Sequence, residues 1–244
     1  FLARAEASAD SDLARGRVEQ GYAVRAGIRG DLEQVVQRYR ASVAALERAG
    51  DVRSACVQEL NLAAAQCELG QDAEARSHVD HGAREAEARG LLSAVALARH
   101  LDGILLARAG REAEALAAQR RALETFAAQG NARMQGDLLS HVAELLARRG
   151  ALDETLAAAT RATELLASSA PARARALAVL ALVHVARGDV PSALSASAEA
   201  LDLAERAGVE SGESLVYSAR ASALAAAGAP NAATVRELGR RRLL

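Results

Sequence analysis

Glycine recurs along this chain with a fixed beat. Gly30, Gly50, Gly70, Gly90, Gly110, Gly130 and Gly150 stand twenty residues apart, and after a gap the beat resumes at Gly188, Gly208 and Gly228. Twenty residues hold one α-helix of about five turns and a reversal. Glycine is the residue that adopts the left-handed conformation in which many helices end. At Asp31 and Asp51 a carboxylate follows the glycine, placed to cap the next helix. The beat predicts a first complete helix over about 12–28 and a second ending at Ala49. Ten more follow at about 52–69, 72–89, 91–109, 112–129, 131–149, 152–168, 172–187, 190–207, 211–227 and 231–243. Pro171, Pro191 and Pro230 fall at helix starts, where the missing N–H costs nothing. The loop around Ser168–Pro171 replaces the glycine expected there, and Phe1–Ala9 reads as the tail of a helix begun upstream. Connections this short leave only antiparallel hairpins.

Composition agrees with that reading. Hydrophobic residues make up 51% of the 244, but aromatics only 2%. Ala and Leu, the strongest helix formers, carry the apolar content, so the expectation is an all-α chain packed through small side chains. All 30 basic residues are Arg. Without Lys there is no Walker A, kinase-strand or Schiff-base lysine. Net charge is −1 with both signs interspersed; no basic stripe or aromatic platform points to nucleic acid, and no apolar run reaches membrane length. Cys56 and Cys67 lie eleven residues apart on one predicted helix, about 16 Å along its axis and beyond disulfide reach. They read as small buried hydrophobes of a reducing compartment, which suggests a cytoplasmic location.

The helices alternate in kind, so the true period is forty residues. With Gly30, Gly70, Gly110, Gly150, Gly188 and Gly228 as reference, a small residue stands seven positions before: Ala23, Ala63, Gly103, Ala143, Ala181 and Ala221. Five positions after stand Val35, Ala75, Ala115, Thr155, Ala193 and Ala233. Twelve after the first five stand Ser42, Gly82, Ala122, Ala162 and Ala200. Small side chains at fixed offsets are what close helix contacts require. The first two columns are expected to let the helices of a hairpin approach, and the third to seat the next hairpin.

These columns resemble the tetratricopeptide (TPR) family, whose pattern is a small residue, Gly seven later, and Ala five and twelve beyond. The pattern reads Ala63-Gly70-Ala75-Gly82, Gly103-Gly110-Ala115-Ala122, Ala143-Gly150-Thr155-Ala162 and Ala181-Gly188-Ala193-Ala200. Two features depart from it: a period of forty in place of thirty-four, and the loss of the usual aromatic nine after the Gly, present once as Tyr39. The long form is similar to the repeats of large bacterial regulators and kinesin light chains. The stretches at 45–75, 176–194 and 210–230 look like the C-terminal TPR arrays of bacterial serine/threonine protein kinases, and such arrays also follow AAA-type or STAND signalling ATPase modules. The resemblance implies a right-handed α-solenoid. Its parts would be a preceding tail at 1–10, repeats at 11–50, 51–90, 91–130, 131–170 and 171–208, and a sixth repeat or capping pair at 209–244.

No residues assemble into catalytic machinery. No Ser sits in a strained Gly-x-Ser-x-Gly turn, neither Cys has a base at recognisable spacing, and the glycines end helices without forming a phosphate cradle. His78 and His81 are three apart on one helix, a metal-compatible spacing, but the surrounding SHVDHGARE reads as a solvated face. His100, His141 and His184 are isolated and read as surface or groove residues. The expectation is therefore no enzyme, no metal and no cofactor.

The TPR resemblance implies a concave groove lined by the first helix of each hairpin. Positions ten, nine, six and two before each reference Gly would face it. The expected groove residues are Gln20, Leu60, Asn61, Glu68, His100, Ile104, Arg108, His141, Glu144, Arg148 and Leu182, together with Val24 and Ala64. An apolar floor of Leu60, Ile104 and Leu182 between charged walls suits a helix or extended segment of a protein or peptide partner. The expected function is a non-catalytic interaction or sensor segment of a larger bacterial signalling protein. Two alternatives stand beside it: a structural or homo-oligomerising arm, and a peptide or small-molecule sensor gating an attached kinase or ATPase.

Overall fold

The structure, a computed structural model, describes residues 10–207 and 213–241. Among these, twelve α-helices follow one another: α1 (Asp12–Ile28), α2 (Leu32–Arg48), α3 (Val52–Glu68), α4 (Asp72–Ala88), α5 (Leu92–Arg108), α6 (Glu112–Ala128), α7 (Ala132–Arg148), α8 (Leu152–Leu165), α9 (Ala170–Ala186), α10 (Val190–Ala207), α11 (Glu213–Ala226) and α12 (Ala232–Arg241). The helices read from the glycine beat are all present, with ends shifted by a few residues at most. The upstream tail at Phe1–Ala9 and the linker at Gly208 lie outside the described residues.

Gly30 shows how a helix stops here. Its φ is 76°, a conformation strained for any side chain bearing a Cβ. It lets the Asp31 N–H reach back to the Ala26 carbonyl at 3.1 Å while Gly30 N–H donates to Gly27 O at 3.1 Å. Two orphan carbonyls are thereby satisfied. Asp31 then starts the next helix by accepting the Gln34 N–H at 3.0 Å. A Cβ at Gly50 would meet nothing within 4 Å, so it is conformation, and not crowding, that asks for glycine at such a turn.

The cap at Asp51 yields a simple test. Its Oδ1 accepts the Ser54 N–H at 3.1 Å, and that bond holds its carboxyl below the usual Asp range. Asp51→Ala should lower stability by about 1 kcal/mol in a urea titration at pH 7. A depressed folded pKa means the contribution is complete above the ordinary Asp value near ~3.9 and fades as pH falls through the depressed one. The wild-type advantage should therefore shrink below about pH 4.

Gly16, Gly82 and Gly136 are a different class. All three lie inside helices and are buried. A Cβ on them would sit 2.7 Å from Leu46 Cγ, 2.7 Å from Leu60 Cδ2 and 2.6 Å from Leu166 Cγ, respectively. Here glycine is required by close approach. Ser42 Oγ donates to the Gly16 carbonyl at 2.7 Å, and Cys56 Sγ donates to the Gly82 carbonyl at 3.4 Å. These contacts correct one expectation. At Ser42 and Gly82 the third column of small residues closes its own hairpin, α1 on α2 and α3 on α4. Its partner is a fourth column fourteen before the reference Gly: Gly16, Cys56, Ala96, Gly136 and Ala174, all buried.

The chain divides into two compact units, residues up to Thr125 and those from Phe126 on, with the division inside α6. In the first, α2 packs on both α1 and α3, α4 on both α3 and α5, and α3 also meets α5. Its core holds Cys56, Leu60, Ala63, Val79, Leu101 and Leu105, with a smaller cluster of Ala26, Val35, Val36, Leu62 and Ala65. In the second, neighbours from α7 to α12 pack in order, and α9 also meets α7 and α11. Ala178, Ala181, Ala200 and Val216 centre its core. The helix α8 stops at Leu165 and α9 begins at Ala170 with proline in its first turn, as the missing glycine and Pro171 suggested.

Candidate partner-binding faces

Each first helix of a hairpin turns one side to its partner helix and leaves another open. In the first unit the open side of α1, α3 and α5 carries Val24 (50% exposed), Ile28 (70%), Val57 (36%) and the half-buried Ala64, Leu97 and Ile104. Asn61 sits among them. Its Nδ2 donates to Gln58 Oε1 at 3.1 Å one turn earlier. Exposed apolar side chains interleaved with an amide form a surface to which an extended or helical segment can dock.

The expected groove residues divide by position. Nine and six before the reference Gly, Asn61, Ile104, His141, Glu144 and Leu182 are half-buried on open sides, and Ile104 and Leu182 also pack against the core. Two before it, Glu68, Arg108 and Arg148 are exposed at helix ends. Ten before it the expectation fails. Leu60 has no exposed surface and His100 only 7%. A helix advances 100° per residue, and the tenth position has already turned toward the partner helix. Leu60 lies against Gly82. His100 Nδ1 meets Gln119 Oε1 at 2.7 Å, while Gln119 Nε2 donates to the His100 carbonyl at 3.2 Å. An amide oxygen only accepts, so Nδ1 carries the proton. Gln20, at the same offset on α1, is half-buried. His100 is thus a core residue, neither surface nor groove.

His78 and His81 also do more than meet solvent. Their Nδ1 atoms approach the two oxygens of Glu59 on α3, at 3.2 and 2.6 Å. They tie α4 to a buried carboxylate. Among the described residues no three His, Cys, Asp or Glu side chains are arranged to hold a metal ion. Cys56 and Cys67 are free and buried, and burial pushes the Cys67 thiol up to about 11. It stays protonated and unreactive at neutral pH.

A cleft of about 600 Å³ opens between α4 and α5. Its charges answer one another: Arg76 binds Asp102 at 2.5 Å, Arg108 pairs with Asp72, and Arg111 reaches Glu114 at 2.6 Å. Arg108, expected as a groove wall, is therefore committed to α4.

The second unit's open side is polar. Asp137, His141 and Glu144 line α7, and Arg175 of α9 faces them with Nη1 3.4 Å from His141 Nε2. Burial raises the carboxyl pKa of both Asp137 and Glu144, and the Arg175 charge lowers each only in part. No described helix is long and apolar enough to cross a membrane.

No protein-family model and no curated protein matches this chain. Solved structures do. A Rap protein crystallised with competence and sporulation factor aligns with a TM-score of 0.79 at 13% identity, over 99% of this chain and 68% of its own. A signal-transduction ATPase of the STAND class with a tetratricopeptide repeat sensor, from Pyrococcus horikoshii, aligns at 0.62 and 15% identity, over 86% of this chain and 32% of its own. BtubC from P. vanneervenii aligns at 0.57 and 16% identity, over 99% and 90%. At these identities the likeness concerns the fold: the chain is an all-α solenoid of antiparallel helix hairpins, of the TPR-like type.

Proposed function

We propose that this chain is a protein- or peptide-binding segment of a larger bacterial signalling protein, built from six helix pairs with boundaries near residues 50, 90, 130, 170 and 208. The observation that carries the reading is the open side of α1, α3 and α5, which presents Val24, Val57, Ala64, Leu97 and Ile104 together with Asn61. The fold neighbours support it, since one is complexed with competence and sporulation factor and another carries a tetratricopeptide repeat sensor. The second of these favours a finer version, in which the segment reports occupancy to an attached ATPase or kinase.

Selection of random nine-residue peptides by phage display tests the reading. Selected peptides should lose at least tenfold in affinity on Asn61→Ala/Val57→Glu with circular dichroism unchanged, about 1.4 kcal/mol. Arg108 is left alone because its ion pair with Asp72 would confound the result. Failure to select any peptide, or equal binding by the double variant, sinks the proposal.

A further inference from the structure

Helix α3 is burdened with buried polar groups. Gln58, Glu59 and Gln66 are all buried, and among the described residues no other helix buries more than one polar side chain. The repeat supplies the comparison. Twelve before the reference Gly, the other first helices bury Val18, Ala98, Leu138, Ala176 and Val216 where α3 has Gln58. Four before it they bury Ala26, Leu106, Leu146 and Leu224 where α3 has Gln66, with His184 half-buried beside Asp189. The hairpins close with apolar side chains at both offsets, so the amides of α3 are not a demand of the fold.

Their cost is met unevenly. Glu59 meets His78 and His81 of α4 at 3.2 and 2.6 Å, and Gln58 Oε1 accepts from Asn61 Nδ2. Gln66 is wholly enclosed with no hydrogen-bond partner at either end of its amide, and each unmet group carries its full desolvation penalty. Helix α5 shows the alternative: its buried His100 is bonded twice to Gln119 of α6. In a stack of hairpins, stability is a sum of each hairpin's own contribution and of its contacts with its neighbours. The orphaned amide lowers the first of these for α3 and α4. Their contact with the outer hairpin runs through α2 on α3, over the small cluster of Val35, Val36, Leu62 and Ala65. A stack yields first at its weakest hairpin, and the hairpin stacked outside it yields with it.

We infer that α1 to α4 open as one unit at a free energy below that of global unfolding, with the buried polar load of α3 as the cause. The opening carries Val24, Val57 and Asn61 away from Leu97 and Ile104 on α5, and so takes apart the face proposed above. For that consequence the inference rests on the peptide-binding reading: a peptide lying across α3 and α5 holds the opening shut, and occupancy becomes order in the first two hairpins.

The chain carries its own probes, since its two cysteines, Cys56 and Cys67, both lie buried on α3. In the full chain, alkylation of Cys67 by iodoacetamide should run at least about tenfold faster than the global unfolding equilibrium allows. Its dependence on urea should be shallower than that of global unfolding, because less surface is exposed. Ala96 on α5 stands at the offset of Cys56. A thiol placed there by Ala96→Cys, with Cys56→Ala/Cys67→Ala, should follow the global urea dependence. Gln66→Leu should slow Cys67 alkylation at least about tenfold. Hydrogen exchange of the unaltered chain, read by mass spectrometry, covers the case in which Ala96→Cys does not fold: α3 should show the shallow urea dependence and α5 the global one. Equal dependence of the two helices overturns the inference, and so does an unchanged Cys67 rate in Gln66→Leu. A nine-residue peptide selected by phage display, at ten times its Kd, should slow Cys67 alkylation about tenfold; bound peptide with no slowing overturns the link to the face. If no peptide is selected, the binding reading fails while alkylation of the free chain still decides whether α1 to α4 open.

Discussion

Leu60→Ala is expected to remove about 3–5 kcal/mol of unfolding free energy, the range for emptying a fully enclosed leucine site. Leu60 has no exposed surface and lies among Cys56, Ala63 and Val79 where α3 crosses α4. Its neighbour on α4 is Gly82, where a Cβ would sit 2.7 Å from Leu60 Cδ2 and 3.0 Å from Cγ. Gly82→Ala alone should therefore destabilise. Forcing a methyl into a closed core costs about 1–3 kcal/mol, against about 1 kcal/mol gained from replacing glycine inside a helix. In the Leu60→Ala background the sign should reverse, because the methyl then fills vacated space and the helix preference is still gained. Urea unfolding of the four proteins closes a double-mutant cycle, with an expected coupling of at least about 1 kcal/mol. Simple additivity would show that the two side chains do not meet.

That pair also marks where sequence reading stopped. The turns were legible because a left-handed glycine followed by a capping Asp is a local signal: Gly30 with Asp31 and Gly50 with Asp51 each specify a reversal without help from the rest of the chain. The columns at offsets −7, +5 and +12 were legible because they repeat in phase. The column at −14 repeats just as regularly, as Gly16, Cys56, Ala96, Gly136 and Ala174. The TPR pattern does not mark this column, and the contacts of Gly16 with Ser42 and of Cys56 with Gly82 across their hairpins single it out.

The binding face was less legible for a geometric reason. One residue of offset turns a helix by 100°, enough to move a side chain from the open side to the seam between helices. Asn61 and Leu60 are adjacent in sequence, yet one is half-exposed and the other has no surface. Pairings across a hairpin are harder still. Glu59 with His78 and His81, or His100 with Gln119, join positions about twenty residues apart with no shared motif. Only the register of α3 on α4, or of α5 on α6, brings them together, and that register comes from the small-residue columns.

Two buried glutamines should respond to leucine in opposite directions. Gln66 is wholly enclosed on α3, and neither Nε2 nor Oε1 has a hydrogen-bond partner. At the same offset, four before the reference glycine, the chain carries Leu106, Leu146 and Leu224, all buried. Gln66→Leu removes two unsatisfied polar groups from the core and adds apolar burial at nearly constant volume. It should raise stability by about 1–3 kcal/mol, a rise of several degrees in melting temperature for a chain of this size. Gln119 is equally enclosed, but both ends of its amide are bonded to His100. Gln119→Leu takes away the acceptor of the buried His100 Nδ1 and should cost about 1–3 kcal/mol. Scanning calorimetry of the two single variants decides the point. The same amide-to-leucine change should stabilise on α3 and destabilise on α6, because a buried polar group is judged by its partners. A loss at both sites would mean that Gln66 is held by bonds of its own, and its place in the core would then be structural.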